Sequence, residues 1–349
     1  MRRRTFAALT MAVATSLITG VPAVGHAAPT TITVPGYQFG LIGEARLSGY
    51  TRYQGTKVGG FTGLDYDRAT GGFRFLSGDR DDARFYTGRI DVSGTTCPRP
   101  SLTGLNRLTQ ADGKQFPGVD PQALRFDAAT GAVLWADAGE RQPGELVDPS
   151  VRVALPNGSF VGQFATPDVL KVGTANNGPK RGQSLSGLAL TSDSQAVLST
   201  VRSPLYQDGD AARLTLQDRS TGALLVQFAY RSDALVGNGI SEILLVADSR
   251  FLVLEQAGPN SARLYEIDFA AGATNVADIP ALAGAGYLPV AKRLVLDLTK
   301  LGLSTVDNLQ GVTWGPTLAS GESTLVFVSD NGLEVDKTTQ VITVKVRLT

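Results

Sequence analysis

The chain has 349 residues, with 32 basic and 32 acidic side chains, 40 Gly and a mean hydropathy of +0.02. No basic tail or stripe accompanies that balance, which argues against nucleic acid as a partner. The only His is His26, inside the leader described next, and the only Cys is Cys97. A Ser-His-Asp or Cys-His catalytic unit, an imidazole metal site and an intramolecular disulfide are therefore excluded.

The chain opens Met1-Arg2-Arg3-Arg4, continues through a mildly apolar stretch from Thr5 to Val24, and reaches Gly25-His26-Ala27-Ala28-Pro29. Basic start, apolar middle and small residues at a cut site describe a secretory signal peptide over residues 1–27. Arg3-Arg4-Thr5-Phe6 allows the twin-arginine route as well as the general (Sec) one. The apolar stretch is broken by Thr, Ser and Gly and is short for a spanning helix, and no later stretch could cross a bilayer. The expectation is a secreted, monomeric protein with one domain over residues 28–349, carrying 29 basic against 32 acidic groups.

Val34 to Val58 reads as strand. A phrase then recurs in which an apolar strand runs into Asp-x-x-x-Gly: Gly63 to Gly71, Ala123 to Gly131, and in its turn again Leu216 to Gly222 and Glu266 to Gly272. The Asp side chain caps the turn and the Gly takes the positive φ that closes a hairpin. Five blocks align on their opening strands, near Thr62, Gln122, Ser186, Ser241 and Gln310, at spacings of 60, 64, 55 and 69 residues. A four-stranded propeller blade needs roughly 40–50 residues, so each block holds one blade and a long loop. The expected fold is an all-β propeller of five or six antiparallel blades. Val34–Val58 and the last strand, Gln340 to Leu348, should share a blade and remove the free edges. Long loops are expected from Asp91 to Gly118, Pro167 to Gln183 and Ala271 to Val290, with Gly173 to Arg181 polar and Gly-rich. Cys97 falls in a loop context with no base beside it, which suits a structural or unpaired thiol. Asn157-Gly158-Ser159 matches a glycosylation sequon but reads better as a hairpin turn, and Ser184, Ser186 and Ser199 have no base to activate them.

Strand order gives a functional inference. The loop entering the inner strand and the loop leaving the second strand lie on one face of the disc, opposite the Asp-x-x-x-Gly turns. The residues after the second strands are Ser77-Gly78-Asp79-Arg80, Ala138-Gly139-Glu140-Arg141, Val201-Arg202, Leu254-Glu255-Gln256 and Ser329-Asp330-Asn331. Those at the inner-strand openings are polar and nearly uncharged: Thr62, Gln122, Ser186, Ser241-Glu242 and Gln310. The catalytic candidates are Asp79, Arg80, Glu140, Glu255 and Asp330. Acids gathered from several blades could hold a hard cation such as calcium, with Asp79, Glu140, Glu242 and Asp330 as candidate ligands. Two of the acids could instead serve as general acid and base. The bland alternative is that these acids cap turns and pair with neighbouring arginines.

Gly60 to Asp67 with Phe75 to Arg80 and Ala83 to Tyr86 resembles the opening of the secreted phytase-like proteins, described as having esterase-like activity of phytase. The likeness continues through Asp120 to Arg125, Asp148 to Arg152, Pro204 to Gly209, Ala262 to Glu266, Val290 to Arg293 and Leu309 to Pro316, over roughly residues 40–348. The resemblance implies a β-propeller and a hydrolase acting on phosphate or carboxyl esters. This chain has Gln122, Ser186 and Gln310 where such proteins typically carry Glu, and Ser77-Gly78-Asp79-Arg80 lacks one acid. Each change removes a negative ligand, so any calcium should bind weakly. The leading expectation is a propeller hydrolase of a small ester or phosphoester, acting through a metal- or carboxylate-activated water. The competing expectations are a non-catalytic extracellular binding propeller and a structural envelope protein.

Overall fold

The computed structural model describes residues 31–93 and 98–349, so the leader expected at 1–27 and Cys97 lie outside the described residues. The chain starts with β1 (Thr31–Val34), β2 (Tyr37–Ser48) and a small hairpin, β3 (Arg52–Tyr53) and β4 (Thr56–Lys57). Blade 1 is β5 (Phe61–Asp67), β6 (Gly72–Ser77), β7 (Arg84–Arg89) and β8 (Ser101–Arg107). Blade 2 is β9 (Pro121–Asp127), β10 (Ala132–Asp137), β13 (Ser150–Ala154) and β14 (Phe160–Gln163), with a hairpin inserted as β11 (Glu140–Gln142) and β12 (Glu145–Val147). Blade 3 is β15 (Leu185–Leu190), β16 (Ala196–Val201), β17 (Ala212–Asp218) and β18 (Leu224–Tyr230). Blade 4 is β19 (Gly239–Ala247), β20 (Arg250–Gln256), β21 (Ala262–Asp268) and β22 (Lys292–Asp297). Blade 5 runs from β23 (Leu309–Trp314) through β24 (Ser323–Ser329) and β25 (Thr338–Leu348), then outward to β2 and β1.

The expected closure is present. β2 pairs antiparallel with β25 from Tyr37 opposite Leu348 to Ser48 opposite Thr338. The fifth blade is thus completed by the N-terminal strands, and five blades use up the strands that left room for a sixth. The segment 91–118, expected to be loop, contains β8, the outer strand of its blade. The residues expected just ahead of the inner strands, Thr62, Gln122, Ser186, Ser241 and Gln310, lie within their first turns of ladder.

Burial follows position in the blade. β16 is buried along its whole length, because both of its faces pack against neighbouring blades, whereas β1 and β14 alternate. The hydrophobic cores accordingly lie between blades: Phe61, Phe75 and Val341 join blades 1 and 5, and Leu188, Ile243 and Leu214 join blades 3 and 4. The Asp caps are as expected. Asp67 accepts from the Ala69 amide at 3.0 Å, and Asp127 from that of Ala129 at 3.0 Å. Asp218 and Asp268 end the third strands of blades 3 and 4, so their turns lie on the same face of the disc as the inner hairpins.

The inner strands meet backbone to backbone at mid-channel. A Cβ on Gly63 would lie 2.9 Å from the Leu124 nitrogen, and one on Gly187 would lie 2.9 Å from that of Ile243. Arg125 crosses the axis just beyond. Its Nη1 donates to the carbonyls of Leu64 (3.0 Å) and Leu124 (2.7 Å), and its Nη2 to Ile243 (2.8 Å) and, more loosely, Val312 (3.4 Å). Glu242 Oε1 lies 3.1 Å from the same guanidinium and accepts the Leu188 and Ile243 amides, both at 3.0 Å. One ion pair therefore ties all five inner strands together.

Candidate active site

The face opposite the hairpin turns carries the loops that leave the second strands. In blade 1 the turn after β6 brings Arg80 toward blade 2. Its Nη2 donates to Glu140 Oε2 at 2.7 Å, and its Nη1 lies 3.7 Å from Asp120 Oδ2. Glu140 opens the inserted hairpin just after β10, and Asp120 directly precedes β9. Asp120 is held from several sides. Its Oδ1 accepts from Gln122 at 2.7 Å, its amide donates to Asp137 Oδ1 at 2.9 Å, and its carbonyl accepts the Ala138 amide at 2.9 Å. Asp137 is buried, and Arg152 pairs with its other oxygen at 2.7 Å.

These two carboxyls are pushed in opposite directions. Burial raises Asp120 above the usual carboxylate range, and the negative charges of Asp137 and Glu140 add to that against the pull of Gln122 and Arg80. Burial also works to raise Glu140, but the Arg141 amide and the Arg80 and Arg181 guanidiniums outweigh it and hold that carboxyl below its ordinary value. One group is thus disposed to keep its proton and its neighbour to lose it, across a single bridging arginine.

The cavity beside them is about 100 Å³ and is lined by Arg80, Asp120, Glu140, Arg141, Lys180, Arg181 and Ser184, with small apolar residues between them. Four cations against two acids make it electropositive in a chain with no net charge. The loop expected at Gly173 to Arg181 closes its far side. Arg141 organises this loop by donating to the carbonyls of Pro179 (2.6 Å), Gly173 (3.0 Å) and Asn177, while its guanidinium stands 5.0 Å from the Tyr206 ring. Ser184 Oγ is buried in this wall and has no hydrogen-bond partner.

The other sequence candidates are placed separately. Asp79 accepts the Asp81 and Asp82 amides, both at 3.2 Å, and pairs with buried Arg84 at 2.7 Å, so it holds its own turn. Glu255 is buried between blades 3 and 4, where Tyr230 (2.5 Å), Asn238 (2.6 Å) and Lys292 (2.5 Å) all donate to it. Glu242 is on the axis with Arg125, and burial first of all pushes its carboxyl up to about 8. Asp330 lies in blade 5, accepts the Gly332 amide at 2.7 Å, and is raised by burial. Of the five catalytic candidates, Arg80 and Glu140 come together.

The calcium ligands expected from the sequence, Asp79, Glu140, Glu242 and Asp330, sit in four different environments, each engaged as above. Among the described residues no group of three or more acid, His or Cys side chains converges as a metal shell would require. These four side chains do not form one calcium shell.

Sequence reasoning did not single out Asp120, Lys180 or Arg181, and it read Arg202 as following a second strand without counting it among the candidates. Arg202 follows β16, and donates to Ser241 at 3.1 Å and Gln310 at 3.5 Å. It has no carboxylate partner among the described residues, and burial lowers its pKa. Its amide bonds the Ser184 carbonyl at 2.8 Å, which sets this further cation beside the cavity wall. Asp-Pro at a strand opening and the Lys180-Arg181 pair in a Gly-rich loop were the available signals.

The profile of a family described as phytase-like, esterase-like activity of phytase, matches residues 56–333. Among curated proteins none matches. A β-1,3-galactosidase solved with galactodeoxynojirimycin superposes with a TM-score of 0.51 at 8% identity, over 85% of this chain and 94% of that one. An exo-β-1,3-galactanase from Phanerochaete chrysosporium gives 0.49 at 10% identity, over 86% of this chain and 64% of that one. This chain therefore spans less than two thirds of the galactanase. Likenesses at such identities concern the fold alone.

Proposed function

We propose that this chain, which belongs to the phytase-like family, is a hydrolase of small esters with an anionic head, acting through a carboxylate-activated water at the Asp120–Arg80–Glu140 cluster. The observation that carries the reading is the pair of carboxyls with opposed proton affinities bridged by one guanidinium, at the wall of a cationic cavity. Such a pair is how one site supplies an acid and a base together. Glu140, ionised, takes a proton from water as the water oxygen bonds to the acyl carbon or phosphorus. Asp120, protonated, gives its proton to the leaving ester oxygen as that bond breaks. Arg80 keeps the two carboxyls in register, and Lys180 and Arg181 meet the anionic head by charge. A cavity of about 100 Å³ takes one such head rather than a whole drug-sized ligand. No step requires a metal.

The test is hydrolysis of two anionic esters, p-nitrophenyl phosphate and mono-p-nitrophenyl succinate, in the presence of EDTA. Wild type should turn over at least one of them, and Asp120→Asn and Glu140→Gln should each lower kcat/KM by ~10²-fold or more. No turnover by wild type, with inorganic phosphate still raising its Tm, would replace this reading by that of a non-catalytic binding propeller.

A further inference from the structure

The channel is shut at mid-height by the glycine contacts and by Arg125, which leaves a separate cavity on the hairpin face. It measures about 510 Å³, is lined by residues of all five blades, and shares none of them with the cavity around Arg80. Its walls include Tyr66, Phe126, Leu190, Leu245, Val246 and Trp314, each only partly buried. The Trp314 indole is fixed by its hydrogen bond to the Leu245 carbonyl at 2.7 Å, so this wall is preformed.

The charges that face this cavity from within are already spent. Asp65 accepts the Phe126 amide at 2.7 Å and the Thr313 hydroxyl at 2.8 Å. Asp67 accepts from Ala69 and Thr70 and lies 3.6 Å from Arg74. Arg125 at the floor has both Nη groups engaged with carbonyls and Glu242. Arg68 stands at the exposed rim, in water. A charged ligand would give up its hydration here without finding a partner, whereas an apolar body would cover the rings and aliphatic side chains.

We propose that the hairpin-face cavity is a second binding site, independent of the hydrolytic one, for an uncharged small molecule with an aromatic or alicyclic body. The probe is 2-naphthol, compared with its charged isostere 2-naphthoate, by calorimetry on the full mature chain. The expected result is 2-naphthol binding with Kd of about 1 mM or tighter, as a small ligand that fills an apolar cavity allows, and naphthoate at least ~10-fold weaker. Ala128→Trp and Ser192→Trp place a bulky ring at two exposed rim positions on different blades. Each should weaken 2-naphthol binding by ~10-fold or more while leaving ester hydrolysis unchanged. Equal affinity for naphthoate, no binding of 2-naphthol at millimolar concentration, binding unchanged in both variants, or self-association of the chain through this face would each overturn the proposal. The readout is ligand binding in the absence of ester, so its outcome is separate from that of the hydrolysis test.

Discussion

Replacing Arg125 by Met tests the axial tie that joins the five blades. The substitution keeps an unbranched apolar stem and removes the guanidinium, and with it three carbonyl contacts of 2.7–3.0 Å and a looser fourth. It also leaves Glu242, which is wholly buried, with its two amide donors and no countercharge. Where Glu242 is ionised, above about pH 8, removing its partner strands a buried charge and costs about 3–5 kcal/mol, a large share of the 5–15 kcal/mol that holds a typical domain folded; below that pH the cost is the lost carbonyl contacts alone. The cost should depend on pH, because burial raises Glu242 from its ordinary 4.5 to about 8. A raised carboxyl contributes stability that is complete below the unfolded value and is lost as pH climbs through the folded one. Wild type should therefore lose up to about 1.4 kcal/mol per pH unit from this group between 4.5 and 8, and no more beyond. Without Arg125 the folded value rises further, so the Met variant should keep losing stability above pH 8. Glu242→Gln in that background should abolish the extra alkaline loss. The assay is urea unfolding from pH 6 to 10 on wild type, Arg125→Met and the double variant. A cost below about 1 kcal/mol at every pH, or an alkaline loss that persists in the double variant, would show that the axial pair fills space and holds nothing together.

Three further outcomes follow from the same geometry. Arg141→Lys should loosen residues 173–181, because an ammonium cannot reproduce the fan of carbonyl contacts made by Arg141; limited proteolysis should cut that loop faster, while the global Tm stays nearly constant. Calcium at 1 mM should shift Tm by less than about 1 °C, since a site with Kd well above that concentration stabilises by only a fraction of RT; a shift of several degrees would mean that a cation shell forms from residues seen here as separately engaged. Arg213→Ala should cost about 3–5 kcal/mol in urea unfolding, because it strands Asp208, which is wholly buried and pairs with Arg213 at 2.7 Å.

The propeller was legible because its signals are local. Asp-x-x-x-Gly turns lie where they were read, and a blade boundary can be marked by a strand opening such as Gly63-Leu64-Asp65. The blade count was less legible because blade 5 joins strands about 300 residues apart, and pairing of that range leaves no trace in a local window. On the site, Arg80 and Glu140 could be read from strand order, since both follow a second strand. Asp120 could not. Its proton affinity comes from burial beside Asp137 and Glu140, and those neighbours meet only once β9 and β10 are paired. Asp79 and Glu255 looked equivalent to Glu140 in the sequence, and what separates them is their partners: Arg84 for one, Lys292 and Tyr230 for the other.

The most direct test of the hydrolytic reading is the pH dependence of kcat/KM in EDTA for whichever p-nitrophenyl ester is turned over. With Glu140 as base and Asp120 as acid, the profile should be bell-shaped. Its rising limb should belong to Glu140 and its falling limb to Asp120. Asp120→Asn should lower the maximum and remove the falling limb while leaving the rising one in place. A wild-type profile that is flat or still rising through neutral pH, or an Asp120→Asn profile that keeps both limbs and the full rate, would place the chemistry elsewhere on the molecule.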